Sequence, residues 1–148
     1  LEKLLITQGA STLVTTMKGN GAATALVSGG FTVITEIVRE KLNFDLCYGN
    51  TLVVDSSVVT GNLKPPIIDG DVKAAILDRE CEKLKISKND TLAVGDGAND
   101  IPMLAEAGLG VGFRPKPLVK QHVSNIIEHC DLRGILFLQG FAESEFIT

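Results

Sequence analysis

The side chains best suited to chemistry lie in the stretch Thr91–Leu104, where Asp96, Asn99 and Asp100 follow a run of apolar residues. The run Leu92-Ala93-Val94 predicts a buried strand, because turn residues bound it and it has no helical period. Asn99 and Asp100 then begin an amphipathic helix. Carboxylates held between a parallel strand and a helix suit a hard cation with oxygen ligands, and a helix N-terminus favours an anion such as phosphate. Asp96 and Asp100 therefore indicate a metal site with a phosphate beside it.

The same residues also fit a purely structural role. Asn99 or Asp100 would cap the helix and Asp96 would occupy a turn, since short polar side chains favour both places. The stretch alone leaves this capping interpretation open.

Two other positions could hold an anion. Ser28-Gly29-Gly30 follows the predicted strand Ala22–Val27, and its hydroxyl and backbone N–H groups could form an anion-binding turn. Lys73 lies near the start of a helix that follows Asp69-Gly70, where a bound anion would offset its unfavourable interaction with the helix dipole. The alternatives are an ordinary tight loop at Ser28 and a solvated lysine at Lys73.

Predicted strands and helices alternate along the chain, which indicates an α/β fold with a doubly wound parallel sheet and a small β-hairpin. Ligands of such sheets bind outside the carboxyl ends of the strands, so the turns at Ser28 and Asp96 are expected at one edge, with Lys73. The predicted strands are Ala22–Val27, Phe44–Tyr48, Thr51–Val54, Val58–Thr60, Leu92–Val94, Gly108–Phe113 and Asn125–Ile127, and the predicted helices begin near Gly9, Thr32, Asp69, Asn99, Lys116 and Leu132.

Composition excludes several classes of partner. The 148 residues suggest one domain, 45% of them are apolar, and the net charge of −4 provides no basic patch for nucleic acid or an anionic membrane. No apolar run is long enough to span a bilayer. Cys47, Cys81 and Cys130 are scattered and odd in number, which is typical of reduced thiols in a cytoplasmic protein.

The motifs resemble those of a known family. Ser28-Gly-Gly-Phe-Thr32, Lys73 and Gly95-Asp-Gly-Ala-Asn-Asp100 are similar, in order and spacing, to three motifs of the haloacid dehalogenase superfamily. The hairpin after Tyr48-Gly-Asn-Thr51 and the segment Gly108–Pro117 further resemble the phosphoserine phosphatase branch of this superfamily. The resemblance covers nearly the whole chain. It implies Mg²⁺-dependent hydrolysis of a small phosphomonoester, L-phosphoserine, through an aspartyl-phosphate intermediate, in the last step of serine biosynthesis.

The resemblance also implies a role for each site residue. Ser28 and the N–H of Gly29 bind the transferring phosphoryl group, and Lys73 neutralises it. Asn99 contacts the phosphate of the substrate. Asp96 ligates Mg²⁺, and Asp100 belongs to the metal site by orienting its shell. These roles agree with the general needs of phosphoryl transfer, which are positioning, a metal ion and cations around the equatorial oxygens.

One departure from the family is large. Its members begin the catalytic domain with a strand that ends in Asp-x-Asp-x-Thr and carries the aspartate nucleophile, usually followed by a helical cap. None of the nine aspartates of this sequence begins that motif. We therefore expect residues 1–148 to be a single, N-terminally truncated core domain that is inactive alone and that pairs with the missing segment or with a second copy. The alternatives are a phosphatase for another small phosphomonoester and a non-catalytic module that binds phosphate or metal.

Overall fold

The computed structural model describes residues 4–148. The chain divides into two compact units, of which unit 1 comprises Leu1–Pro65 with Cys130–Thr148 and unit 2 comprises Pro66–His129. Residues 1–3 lie outside the described part, and the grouping of residues 1–148 into one domain stays a prediction.

Six helices and six strands follow one another in the described residues. The elements are α1 Ala10–Gly19, β1 Ala25–Phe31, α2 Thr32–Leu42, β2 Leu46–Asp55, β3 Val58–Lys64, α3 Gly70–Leu84, β4 Leu92–Gly95, α4 Ile101–Glu106, β5 Leu109–Phe113, α5 Pro117–Lys120, β6 Asn125–Ile127 and α6 Gly134–Leu138.

Unit 1 contains a three-stranded sheet in the order β1-β2-β3. β2 pairs in parallel with β1 through its first half and antiparallel with β3 through its second half. The two strands predicted at Phe44–Tyr48 and Thr51–Val54 are therefore one continuous strand, and the prediction of a break between them is wrong. Gly49 and Asn50 do not interrupt β2, because the change of pairing partner occurs across them.

Unit 2 contains a second three-stranded sheet, β4-β5-β6, in which both pairings are parallel. Val111 of β5 and Val119 of α5 are fully buried. A Cβ at Gly110 would lie 2.1 Å from the carbonyl oxygen of Leu104. The glycine is therefore required for α4 to pack directly against β5, which explains a glycine-rich strand in a buried position.

Helix α3 positions Lys73, and its start is fixed by a side-chain cap. Asp69 accepts a 2.9 Å hydrogen bond from the N–H of Val72. The ammonium group of Lys88 bridges Asp78 of α3 and Glu106 of α4 at 2.6 and 2.7 Å. These exposed ion pairs contribute little free energy, but they link the two helices that flank the loop after β4.

The predicted α/β class with parallel strand pairing is confirmed. The strands of residues 4–148 form two three-stranded sheets, and β1 and β4 each lie at a sheet edge. The helix predicted from Asn99 begins with a 3₁₀ turn at Ala98–Asp100 before α4. Among the described residues, no helix has the length and apolar character that crossing a membrane requires.

Candidate active site

Asp100 organises the loop between β4 and α4. Its carboxylate is buried, with 6% of the residue exposed. Oδ2 accepts hydrogen bonds from the backbone N–H groups of Asp96 and Gly97, both at 3.0 Å. Oδ1 accepts a 2.6 Å hydrogen bond from the ammonium group of Lys73. Three donors therefore converge on one carboxylate, which ties the loop to helix α3.

Lys73 is the second buried charge of unit 2, with 5% of the residue exposed. This burial rules out the solvated lysine that the sequence left open. Its ammonium group donates to one acceptor within residues 4–148, Oδ1 of Asp100. Because an ammonium group carries three N–H donors, two remain for a further acceptor.

Gly95 makes the approach of Asp100 to β4 possible. A Cβ at position 95 would lie 2.5 Å from Cβ and 2.6 Å from Cγ of Asp100. Such distances are far below van der Waals contact, and both atoms lie close to the backbone of α4. The glycine that ends β4 is therefore required by the buried carboxylate.

Asp96 and Asn99 differ from Asp100, because both are exposed. Neither side chain has a hydrogen bond or an ion pair within the described residues. The backbone of Asp96 is held on both sides: its N–H donates to Asp100, and its carbonyl accepts a 2.9 Å hydrogen bond from the N–H of Lys116. A fixed backbone thus presents an unpaired carboxylate at the carboxyl end of β4.

The donor set fits Mg²⁺ in part. This ion is usually held by one or two carboxylates together with phosphate oxygens and water. Asp96 can serve as such a ligand, whereas the oxygens of Asp100 are already engaged by three donors. Residues 4–148 contain no group of three or more His, Cys, Asp or Glu side chains that could enclose a metal ion. The arrangement favours Asp96 as the ligand and Asp100 as the residue that positions it.

The serine turn lies in unit 1, inside β1 rather than after it. Between the pairs Val27↔Tyr48 and Phe31↔Asn50, three residues of β1 face the single residue Gly49 of β2. Residues 28–30 therefore form a β-bulge, the serine bulge. Within this bulge the hydroxyl oxygen of Ser28 accepts a 3.0 Å hydrogen bond from the N–H of Gly30. The hydroxyl proton of Ser28 has no acceptor in the described residues and can donate to a ligand.

Sequence reasoning missed the two residues of β2 that lie behind this bulge. Asn50 is buried and donates a 2.8 Å hydrogen bond from Nδ2 to the carbonyl oxygen of Gly29. A Cβ at Gly49 would lie 2.6 Å from Oγ1 of Thr35. The available signal was an asparagine next to a glycine between two apolar runs. The sequence pattern suggested that this dipeptide precedes a hairpin, whereas it lies in the middle of β2.

The predicted site residues thus fall into two groups, one in each unit. Lys73, Asp96, Asn99 and Asp100 belong to unit 2, where the loop after β4 gathers them, and Ser28 and Gly29 belong to unit 1. The convergence of both groups on one cleft stays a prediction. Asp100 is the N-cap residue of α4 but makes no side-chain cap hydrogen bond to that helix, because its carboxylate accepts the N–H groups of Asp96 and Gly97 before it.

The known proteins most similar in sequence to this chain include several named phosphoserine phosphatases. The chain is 39% identical over 145 residues to a probable phosphoserine phosphatase of Schizosaccharomyces pombe, covering 97% of the chain and 49% of that protein. It is 37% identical over 136 residues to a phosphoserine phosphatase of Methanocaldococcus jannaschii, covering 92% and 64%. A solved structure of a phospho-aspartyl intermediate analogue of phosphoserine phosphatase superposes with a TM-score of 0.84 at 37% identity, covering 90% of this chain and 64% of that one.

The chain therefore spans about half to two thirds of the length of these relatives. The model of the family described as haloacid dehalogenase-like hydrolase matches residues 1–105, which include the serine bulge, Lys73 and the loop after β4. On this match, and on the arrangement of Lys73, Asp96 and Asp100, the chain belongs to the haloacid dehalogenase-like hydrolase family.

Proposed function

We propose that this chain is part of a Mg²⁺-dependent phosphoserine phosphatase that hydrolyses L-phosphoserine to L-serine and phosphate, the last step of serine biosynthesis, in the cytoplasm. The observation that carries the proposal is the buried Lys73–Asp100 pair, which holds the loop that presents Asp96. The names of the relatives support the choice of substrate. The thiols of Cys47 and Cys81 support a reducing compartment.

The residues of unit 2 suit the charge that develops in phosphoryl transfer. Such a transition state spreads negative charge over three equatorial oxygens, and fixed donors and cations stabilise it most when they are already in place. Lys73 is held rigidly by Asp100 and keeps two N–H donors for phosphate oxygens. Asn99, exposed in the loop that Asp100 ties to Lys73, can donate a further hydrogen bond from its amide.

The serine bulge supplies an uncharged donor. The hydroxyl oxygen of Ser28 accepts the N–H of Gly30, which leaves the hydroxyl proton for a phosphate oxygen. The backbone N–H of Gly29 is proposed to act beside it. Bound Mg²⁺, with Asp96 as its ligand in this chain, would neutralise the phosphate and polarise the bond to the leaving oxygen.

The nucleophile of the reaction is proposed to come from residues outside the 148. A carboxylate nucleophile cannot be replaced by positioning alone, and none of the nine aspartates begins the Asp-x-Asp-x-Thr motif. β1 and β4 each lie at the edge of a sheet and offer backbone groups to a further strand. An Asp-x-Asp-x-Thr strand would pair with such an edge, and a second copy of the chain would compete for it.

The test is complementation. The 148-residue chain is assayed for phosphate release from L-phosphoserine with Mg²⁺, alone and with a separate segment that contains the Asp-x-Asp-x-Thr strand and cap of a relative. We expect release only from the mixture and no release when the first aspartate of the segment is replaced by asparagine. Clear activity of the chain alone would place the nucleophile among its own residues and would overturn the proposed mechanism.

The absence of the nucleophile motif from these residues also favours a second function, a non-catalytic module that binds phosphate or metal. Complementation separates the two. Binding of inorganic phosphate without turnover in any mixture would support the module. Turnover of other small phosphomonoesters at rates equal to that of L-phosphoserine would instead support a phosphatase with a different substrate.

A further inference from the structure

The side chain of Asn50 forms a hydrogen bond to the serine bulge, and no role has yet been given to it. Asn50 is 4% exposed, although most residues of the hairpin that follows it in β2 and β3 are exposed. A buried amide is unfavourable unless its polar atoms are hydrogen-bonded, and Nδ2 of Asn50 donates to the carbonyl oxygen of Gly29 at 2.8 Å. This carbonyl lies in a bulge, where the ladder between strands is disrupted.

The contact fixes more than one carbonyl. The peptide group between Gly29 and Gly30 is planar, so its carbonyl and its N–H point in opposite directions. The carbonyl accepts from Asn50, and the N–H of Gly30 donates to the hydroxyl oxygen of Ser28 at 3.0 Å. A single chain of hydrogen bonds therefore runs from Asn50 through one peptide plane to Ser28.

The residue before Asn50 has a matching requirement for space. A Cβ at Gly49 would lie 2.6 Å from Oγ1 of Thr35 and 3.2 Å from the carbonyl oxygen of Gly30. With glycine at that position, β2 can lie this close to Thr35 of α2 and to the carbonyl of the bulge. The dipeptide Gly49-Asn50 thus provides both the close approach and the donor.

We propose that Asn50 is a positioning residue, which holds the Gly29–Gly30 peptide so that Ser28 presents its hydroxyl proton to the phosphate. The role of Ser28 in this statement rests on the proposed function, whereas the hydrogen-bond chain does not. Without the amide of Asn50, the glycine peptide can rotate, because glycine has the widest range of backbone conformations. Ser28 then loses its fixed partner and its orientation.

The experiment is a double-mutant cycle in the complete protein that contains this chain. Asn50→Ala, Ser28→Ala and the double variant are compared for kcat and KM with L-phosphoserine. Loss of positioning should lower kcat/KM by about 10- to 100-fold for Asn50→Ala. Because Asn50 acts through Ser28, the double variant should be no slower than Ser28→Ala. Asn62→Ala, an exposed asparagine of the same hairpin, is the matched control and should leave kcat/KM unchanged.

Amide hydrogen exchange gives a readout that does not depend on activity. Exchange at Gly30 should accelerate in Asn50→Ala and stay unchanged in Asn62→Ala, since only the first removes the hydrogen bond that orients the peptide. Asn50→Ser, which keeps a small donor at the site, should give an intermediate effect and serves if Asn50→Ala fails to fold.

The two proposals can fail separately. Multiplicative losses in the double variant, or unchanged exchange at Gly30 in both Asn50 variants, would overturn the role of Asn50 while the phosphatase stands. A complete protein that does not hydrolyse L-phosphoserine would overturn the proposed function. The role of Asn50 is then decided by the affinity for inorganic phosphate, and equal affinity in Asn50→Ala and the unchanged protein would overturn it.

Discussion

At the scale of single residues, Asp96 and Asp100 lie in one loop and have opposite surroundings. Asp100 is buried and accepts three hydrogen bonds, whereas Asp96 is exposed and its carboxylate accepts none within residues 4–148. The sequence could name both as oxygen donors. The residue pattern alone could not divide the roles between them, which only the family resemblance did, because the division depends on the approach of Lys73 from another helix.

Asp96 is expected to be needed for metal binding and dispensable for folding. In the complete protein, Asp96→Asn should weaken Mg²⁺ binding, measured by calorimetry, and lower turnover by about 10²- to 10³-fold, because it removes the proposed ligand of the ion that would neutralise the transferring group. The matched control is Asp90→Asn, an exposed aspartate just before β4. Equal Mg²⁺ affinity of the two variants would contradict the assignment of Asp96 as ligand.

Lys73 is expected to matter for folding as well as for binding. Lys73→Ala leaves the carboxylate of Asp100 buried without its cation, which should lower the free energy of unfolding by about 3–5 kcal/mol. Urea denaturation measures this change. Lys83→Ala, on the same helix, removes an exposed lysine that pairs with Glu80 at 2.8 Å and should lower it by less than about 1 kcal/mol. Similar losses in both variants would argue against a buried pair.

At the scale of elements, the ends of strands and helices determine where the site residues lie. The sequence predicted the helix after Asp69 and the strand at Leu92 correctly, because turn residues and a capping aspartate mark them. It divided β2 into two strands at Gly49-Asn50, since glycine and asparagine usually mark turns. Their role in packing against the serine bulge depends on β1 and could not be inferred from local pattern.

The end of β4 provides a prediction about two neighbouring glycines. Gly95→Ala places a Cβ 2.5 Å from Cβ of Asp100, so either the loop or α4 must shift, with a destabilisation of about 1–3 kcal/mol. Gly97→Ala meets Oδ1 of the exposed Asn99 at 3.0 Å, and this side chain can rotate away, while Oδ2 of Asp100 lies at an ordinary contact distance of 3.8 Å. Thermal unfolding of the two variants should therefore separate clearly. Equal stability would mean that Asp100 does not pack against β4.

At the scale of the whole molecule, the family and the α/β class could be predicted, whereas the two-unit organisation could not. Three short motifs were sufficient for the first. The division into Leu1–Pro65 with Cys130–Thr148 and Pro66–His129 depends on contacts between residues far apart in sequence. Periodicity of apolar residues carries no information about such contacts.

The three cysteines provide a test of burial in both units. Burial raises the pKa of the Cys47 and Cys81 thiols, and the nearby carboxylate of Asp78 raises that of Cys81 further. A raised pKa lowers the fraction of reactive thiolate at a given pH. Exposed Cys130 should therefore be alkylated first at neutral pH, and the other two should react faster as the pH rises. Mass spectrometry follows each site.

Unfolding in urea should remove the difference in rate between the cysteines, and Cys130→Ser should remove only the fast phase. Alkylation of Cys81 as fast as that of Cys130 in the folded protein would contradict the packing of α3.

The division of unit 1 along the chain has a consequence for biosynthesis. Ile135 and Leu136 of α6 are fully buried, and the N–H of Ile147 donates a 2.9 Å hydrogen bond to Oγ1 of Thr16 in α1. Translation proceeds from the N-terminus, so all of Pro66–His129 is synthesised before the residues that complete unit 1. Thr16 of α1 and Gln8 before it must therefore wait for their hydrogen-bond partners Ile147 and Leu132. During that interval on the ribosome, the serine bulge already has its packing partners, because Thr35, Gly49 and Asn50 all precede Pro66.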